Sequence, residues 1–206
     1  MAAKLTFYTN PMSRGRIARW ALEEVGAEYD TEVLEYGTTM KAPDYLAINP
    51  MGKVPAIKHG DTVVTETAAI CCYLADAFPA AGLAPPNDAR GDYYRWMFFT
   101  AGPLESAVTN QSLSVDVPAD KQGFVGYGSF KHVLDAVEQK MSATPFICGD
   151  GFTMADLYVG SHLAFGLQFN SIEARPAFSE YVQRVTDREA HRRATALDDA
   201  AMAAAT

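Results

Sequence analysis

The amino-acid sequence predicts an α/β unit followed by an all-α unit, and three features carry the prediction. Up to about residue 80, short strand-like runs alternate with helical periodicity in the order βαβαββα. A proline-rich stretch follows. Beyond it only helical spacing recurs, with no convincing strand pair. The boundaries read as 1–80 for the first domain, 81–87 for a linker and 88–206 for a helical bundle.

Leu5 to Thr9 reads as the first strand, and Asn10 and Pro11 turn the chain toward Ser13. A helix follows, with Ile17, Trp20, Ala21 and Val25 on one face and Gly26 as its stop. Tyr29 to Leu34 reads as a second strand, and strand, helix, strand implies a parallel pair with a right-handed crossover. An irregular polar stretch holds Tyr36, Gly37 and Lys41. After INPMGK comes VPAIKHGDTVV, where Gly60-Asp61 between two short apolar runs signals a hairpin. Thr65 and Glu66 open a helix toward Phe78, so a mixed sheet with helices on both sides is the economical packing. Pro79, Pro85 and Pro86 mark the linker.

Periodicity in the second half predicts helices over 91–113, 121–141, 153–169 and 176–200. In GDGFTMADLYV, Thr153 suits an N-cap with Asp156 three residues on, and Phe152 with Leu157 suits a hydrophobic staple. Asp156 is therefore read as structural. The tail AAMAAAT is expected to fray.

With 206 residues and 49% hydrophobic content, the chain can bury a sizeable core. A net charge of -8 and a pI near 4.9 argue against nucleic acid as a partner. Arg14, Arg16 and Arg19 form the one concentrated run of positive charge, on the scale of a small anion. The three cysteines have neither CxxC nor metal-ligand spacing, so no disulfide framework and no metal is expected, and Cys71 and Cys72 read as buried structural thiols. The segment MAAKLTFYTN lacks signal-peptide features, and no apolar run approaches the roughly 20 residues of a membrane span. A cytoplasmic protein without membrane contact is the expectation.

In NPMGKVPAI, Pro55 removes a backbone donor at a strand start. An ordinary trans proline at a sheet edge is the simpler reading of these residues alone, and a cis peptide is the alternative.

The segments YTNPMSRGRIARWALEEVG, INPMGKVPAI and VVTETAAICCYL, at matching spacing, resemble the N-terminal domain of the cytosolic glutathione S-transferase family. FTMADLYV resembles the capping motif of that family's helical domain. The resemblance covers essentially the whole chain and points to a bacterial, serine-type, theta-like or related class. It implies a thioredoxin-like first domain, glutathione as co-substrate, a small hydrophobic electrophile, a homodimer and a role in detoxification.

The resemblance also implies site residues. The Val54-Pro55 peptide would be cis, with Val54 on the cysteinyl backbone of glutathione and Pro55 shaping that edge. Glu66 and Thr67 would receive the γ-glutamyl group, and a helix N-terminus suits its carboxylate. Plain helix capping is the other reading of this pair. Lys53 would hold the glycine carboxylate or stand solvated.

The sulfur must be ionised to attack, and a free thiol has a pKa near about 8.5. A two-unit drop raises the thiolate fraction at pH 7 from about 3% to about 75% and needs roughly 2.7 kcal/mol. One or two charge-assisted hydrogen bonds suffice. Ser13 is the first choice as donor, aided by the helix dipole and by Arg14, although a helix cap also explains it. Tyr8, which a gap-free alignment to tyrosine-type classes puts on their catalytic tyrosine, is the rival, and a buried strand tyrosine is its plainer reading. The loop lacks the cysteine of beta-like bacterial enzymes, which argues against mixed-disulfide chemistry and leaves Asn10 as a minor donor.

Tyr94, Phe98 and Phe165 are candidates for an apolar pocket between the domains, or for plain core. The stretch YYRWMFF suits either a dimer interface or the bundle core. Glutathione-dependent isomerisation or peroxide reduction, and a non-catalytic binding or assembly module of the same fold, stay open as alternatives.

Overall fold

Alternation of side chains sets the inner strand. In β1 (Leu5–Thr9) Leu5, Phe7 and Thr9 are buried, while Thr6 and Tyr8 are half-buried. The computed structural model describes residues 3–204. β1 pairs in parallel with β2 (Asp30–Val33) and antiparallel with β3 (Ala56–His59), which pairs antiparallel with β4 (Thr62–Thr65). The order is β2-β1-β3-β4, a mixed sheet of the thioredoxin-like kind that the sequence led us to expect. The Gly60-Asp61 hairpin forms where expected, with Gly60 at φ 61°. β2 is shorter than 29–34 and exposed throughout, as suits an edge strand.

Helices cover both faces. Phe7 lies on the side of α1 (Gly15–Val25), whose Arg19 guanidinium sits 5.1 Å from the centre of its ring. α1 packs in turn against α3 (Thr67–Ala77). On the opposite face Tyr8 and Ala56 meet Met40 and Tyr45, the latter in α2 (Pro43–Leu46). Gly26 at φ 65° closes α1, with its own N–H bonded to Glu23 O and that of Ala27 to Leu22 O at 3.2 Å.

The chain divides into two compact units. One comprises the residues up to Gly82 together with those from Arg188 on, and the other is Leu83–Asp187. The helix expected over 176–200 is two helices, α8 (Pro176–Thr186) and α9 (Glu189–Ala204). Asp187, at φ -75° and ψ 59°, leaves the helical region between them. Asp competes for the backbone in this way because its short side chain offers non-helical hydrogen bonds. α9 packs along α1 within the first unit. It is helical through Ala204, and the end of the tail expected to fray, 205–206, lies outside the described residues.

The second unit contains α4 (Gly91–Phe99), α5 (Glu105–Ser112), α6 (Phe130–Ala143), α7 (Met154–Gln168) and α8. The expected helix over 91–113 is interrupted by a π-helical turn, Thr100–Leu104, because Pro103 has no N–H to give to a regular ladder. The helix expected from 121 starts only at Phe130, capped by Ser129, whose Oγ accepts from His132 N at 3.2 Å. Gly123, Gly126 and Gly128 account for the delay, since each costs helix propensity.

Thr153 caps α7 through a capping box with Asp156, as expected. The fully buried Asp156 carboxylate accepts from Thr153 N (2.8 Å), Thr153 Oγ1 (2.9 Å), Ile147 N (2.6 Å) and Tyr181 Oη (2.6 Å). Burial pushes its pKa up, against the pull of those donors, and pushes the Tyr181 phenol well above its ordinary value. Its role is structural. α7 and α8 meet at Gly160, where an added Cβ would lie 2.5 Å from Val185 Cγ2.

Candidate functional site

Strand register brings the expected site residues to one end of the sheet. Tyr8 pairs with Ala56, and Ala56 pairs with Thr65, so these three form a row across β1, β3 and β4. Adjacent strands lie about 4.8 Å apart. One residue past this row stand Pro55, joined to Val54 by a cis peptide, and Glu66, followed by Thr67 as the first residue of α3. Thr9 and the loop of Asn10 to Arg14 leave the same end of β1.

That loop is built from short hydrogen bonds. Asn10 Nδ2 donates to Leu34 O (2.8 Å), and its Oδ1 accepts from Met12 N (2.9 Å), so the side chain ties the loop to the end of β2. The Ser13 hydroxyl donates to Asn10 O (2.6 Å) and accepts from Gly15 N (2.9 Å), the N–H of the first residue of α1. Gly15 is required there, since a Cβ would fall 2.0 Å from Thr9 Oγ1 and 2.9 Å from Ser13 Oγ. Arg14 is exposed beside Ser13.

Tyr8 is half-buried, its ring 5.5 Å from that of Tyr45. The Tyr45 hydroxyl donates to Lys53 O (2.6 Å), and Asn49 Nδ2 donates to the same carbonyl (2.8 Å). Lys53 keeps its side chain exposed. Lys41 Nζ donates to Met51 O (3.0 Å) and Gly52 O (2.9 Å), gripping the turn before Val54. Sequence reasoning gave no role to Lys41, Tyr45 or Asn49. Lys41 and Tyr45 act through the approach of 41–45 to 51–53, which no periodicity encodes, and Asn49 through a local bond to a backbone carbonyl.

Glu66 holds φ 65° and ψ 121°, a left-handed backbone rare outside glycine, and its carbonyl accepts from Ile70 N at 2.9 Å. Thr67 is buried and the Glu66 side chain is exposed.

The idea that the arginine run holds an anion needs correction for two of its members. Arg16 donates to Pro11 O and Asp199, while Arg19 is buried against Asp198 and reaches Tyr29 and Thr31. Both guanidinium groups are engaged within the protein because α9 brings two carboxylates onto α1. Among the described residues Cys71, Cys72 and Cys148 form no disulfide; Cys71 is buried as expected, whereas Cys72 is only half-buried. Burial pushes Cys71 far up and Cys148 up to about 11, values that make poor nucleophiles. Among the described residues no His, Cys, Asp and Glu group is arranged to hold a metal ion, and no helix is long and apolar enough to cross a membrane. On α4, Tyr93, Trp96 and Met97 are core, whereas Tyr94 and Phe98 are exposed; Phe165 on α7 is half-buried.

Residues 12–77 match the family model for the glutathione S-transferase N-terminal domain, and residues 128–189 that for the glutathione S-transferase C-terminal domain. Glutathione S-transferase GstA of Escherichia coli O157:H7 is 31% identical over 150 residues, which is 70% of this chain and 73% of that protein. The crystal structure of a glutathione transferase from Methylococcus capsulatus str. Bath superposes with a TM-score of 0.79 at 27% identity, covering 95% of this chain and 98% of the other. A glutathione transferase homologue from Sulfitobacter with bound glutathione gives 0.75 at 26% identity, covering 97% and 99%. With both domain matches falling in chain order, the protein belongs to the cytosolic glutathione S-transferase family and is a glutathione transferase.

Proposed function

We propose that this transferase conjugates glutathione to a small hydrophobic electrophile and that Ser13 keeps the glutathione sulfur ionised. The observation that carries the reading is the setting of the Ser13 hydroxyl, 2.9 Å from the N–H that opens α1. That N–H donates to Oγ, which polarises the hydroxyl and strengthens it as a donor. Its proton goes to Asn10 O at 2.6 Å. An anionic sulfur is a stronger acceptor than a carbonyl, so the proton turns to the thiolate when glutathione is bound. The dipole of α1 and the Arg14 charge add positive field there.

Val54 pairs its backbone with the cysteinyl unit, and Pro55 shapes that edge. Glu66 attracts the γ-glutamyl ammonium, and Thr67 with the first N–H groups of α3 receives its carboxylate. Lys53 takes the glycine carboxylate, and Asn10 holds the loop. The thiol proton leaves to solvent, the sulfur forms a bond to the electrophilic carbon, and the electron pair departs with the leaving group or shifts along the acceptor. Residues 1–80 hold glutathione, 81–87 link, and the part of 88–206 that forms the second unit, up to Asp187, receives the electrophile, with exposed Tyr94 and Phe98 as apolar candidates. The same reading makes the enzyme a cytoplasmic homodimer active in detoxification; light scattering at micromolar concentration is expected to give twice the chain mass, and a monomer would refute that part.

The test is an ultraviolet pH titration of the thiolate band of bound glutathione in wild type, Ser13→Ala and Tyr8→Phe. The expected result is an ionised thiol at neutral pH that only Ser13→Ala loses. Loss only in Tyr8→Phe transfers the role to Tyr8, and a thiol that stays protonated in wild type overturns the mechanism.

A further inference from the structure

Helix α9 is pinned along α1 by pairs of opposite charge whose sense reverses from one end to the other. Arg188 grips Glu24 with two hydrogen bonds (2.6 and 2.7 Å), Arg193 meets Glu23 (3.1 Å), and the His191 ring lies 4.6 Å from that of Trp20. At the other end Asp198 is buried against Arg19, Oδ1 to Nε 2.8 Å. These contacts fix the register of the two helices. Asp199, about 100° further round α9, is thereby brought beside Arg16.

Arg16 is a branch point. Its Nε donates to Pro11 O (2.7 Å), its Nη2 donates to Asp199 Oδ1 (2.7 Å), and Met202 Sδ lies 3.2 Å from the same Nη2. A guanidinium is planar and rigid, so a carboxylate held on Nη2 constrains the direction of the neighbouring Nε N–H. Pro11 lies in the loop whose Asn10 carbonyl accepts the Ser13 hydroxyl. The loop is thus held from β2 through Asn10 and from α9 through Arg16.

We propose that Asp199, acting through Arg16, is a positioning residue for the thiol-activating loop, an inference that rests on the role given to Ser13 above. An ion pair whose carboxylate is 59% exposed adds little to global stability. Its effect on chemistry is larger, because a misplacement of about 1 Å can cost up to about 100-fold in rate. The two roles therefore separate experimentally.

The experiment titrates the thiolate band of bound glutathione in Asp199→Ala, Arg16→Lys, Asp199→Glu, Arg193→Ala, Ser13→Ala and the Ser13→Ala/Asp199→Ala pair, with thermal melts alongside. Asp199→Ala and Arg16→Lys are expected to move the midpoint up by about half a unit or more, a roughly threefold loss of thiolate preference. Their melting midpoints stay within about 3 °C of wild type. Asp199→Glu recovers at least half of the shift, and Arg193→Ala, which removes a distant contact of the same clasp, leaves the midpoint in place. In the Ser13→Ala background, Asp199→Ala adds nothing. An unmoved midpoint in Asp199→Ala, an equal shift in Arg193→Ala, or a shift that persists without Ser13 overturns the positioning role alone. A silent Ser13→Ala overturns the Ser13 reading and this inference with it.

Discussion

At the scale of single residues, Gly15 and Tyr45 constrain the site from below. Gly15→Ala forces a methyl to 2.0 Å from Thr9 Oγ1, so strand and helix must separate or the loop must shift. A loss of about 2 kcal/mol is expected in denaturant unfolding, as for overpacked interiors, together with weakened thiolate formation. Tyr45 supplies a pH signature. Burial raises its phenol from 10.0 to about 12. The folded protein keeps that proton above pH 10 while the unfolded chain releases it. The stabilising contribution is therefore complete below pH 10 and is lost as pH climbs toward 12. Tyr45→Phe is expected to flatten the alkaline fall in stability and to free Lys53 O from one donor, which tyrosinate absorbance and unfolding curves will check.

At the scale of elements, the Thr153 cap is the clearest case of local sequence fixing local structure. Thr153→Ala removes the acceptor of Ala155 N and one donor to buried Asp156, and a loss of about 1–2 kcal/mol is expected by thermal melting. A change below a few tenths would mean that the cap is idle. This element was legible because capping is local, as were β1, the Gly60-Asp61 hairpin and the helix opened at Glu66 and Thr67. Helix continuity across 91–113 and 176–200 misled, since periodicity registers neither the missing N–H of Pro103 nor the turn at Asp187. Motifs single out Ser13, Val54, Pro55, Glu66 and Thr67 as site candidates, and what the structure adds is that the strand register brings them to one end of the sheet. Arg16 was read as an anion holder because its carboxylate partner lies 183 positions away, beyond any sequence window. Lys41 and Asn49 were invisible for a different reason: their targets, 4 to 11 positions away, are backbone carbonyls, which no residue type marks.

At the scale of the whole molecule, the buried Arg19–Asp198 pair joins the two ends of the first unit. Asp198→Ala leaves a buried guanidinium without its carboxylate, and a loss of about 3–5 kcal/mol in denaturant unfolding is expected. A loss under about 1 kcal/mol would show that Tyr29 and Thr31 suffice for Arg19. Because α9 packs on α1, the first unit cannot reach its final packing while residues past 187 are still inside the ribosome. The nascent chain must carry Trp20, Arg16 and Arg19 without their α9 contacts until the residues through Asp199 have emerged, and a chaperone that shields α1 in that interval would favour correct assembly.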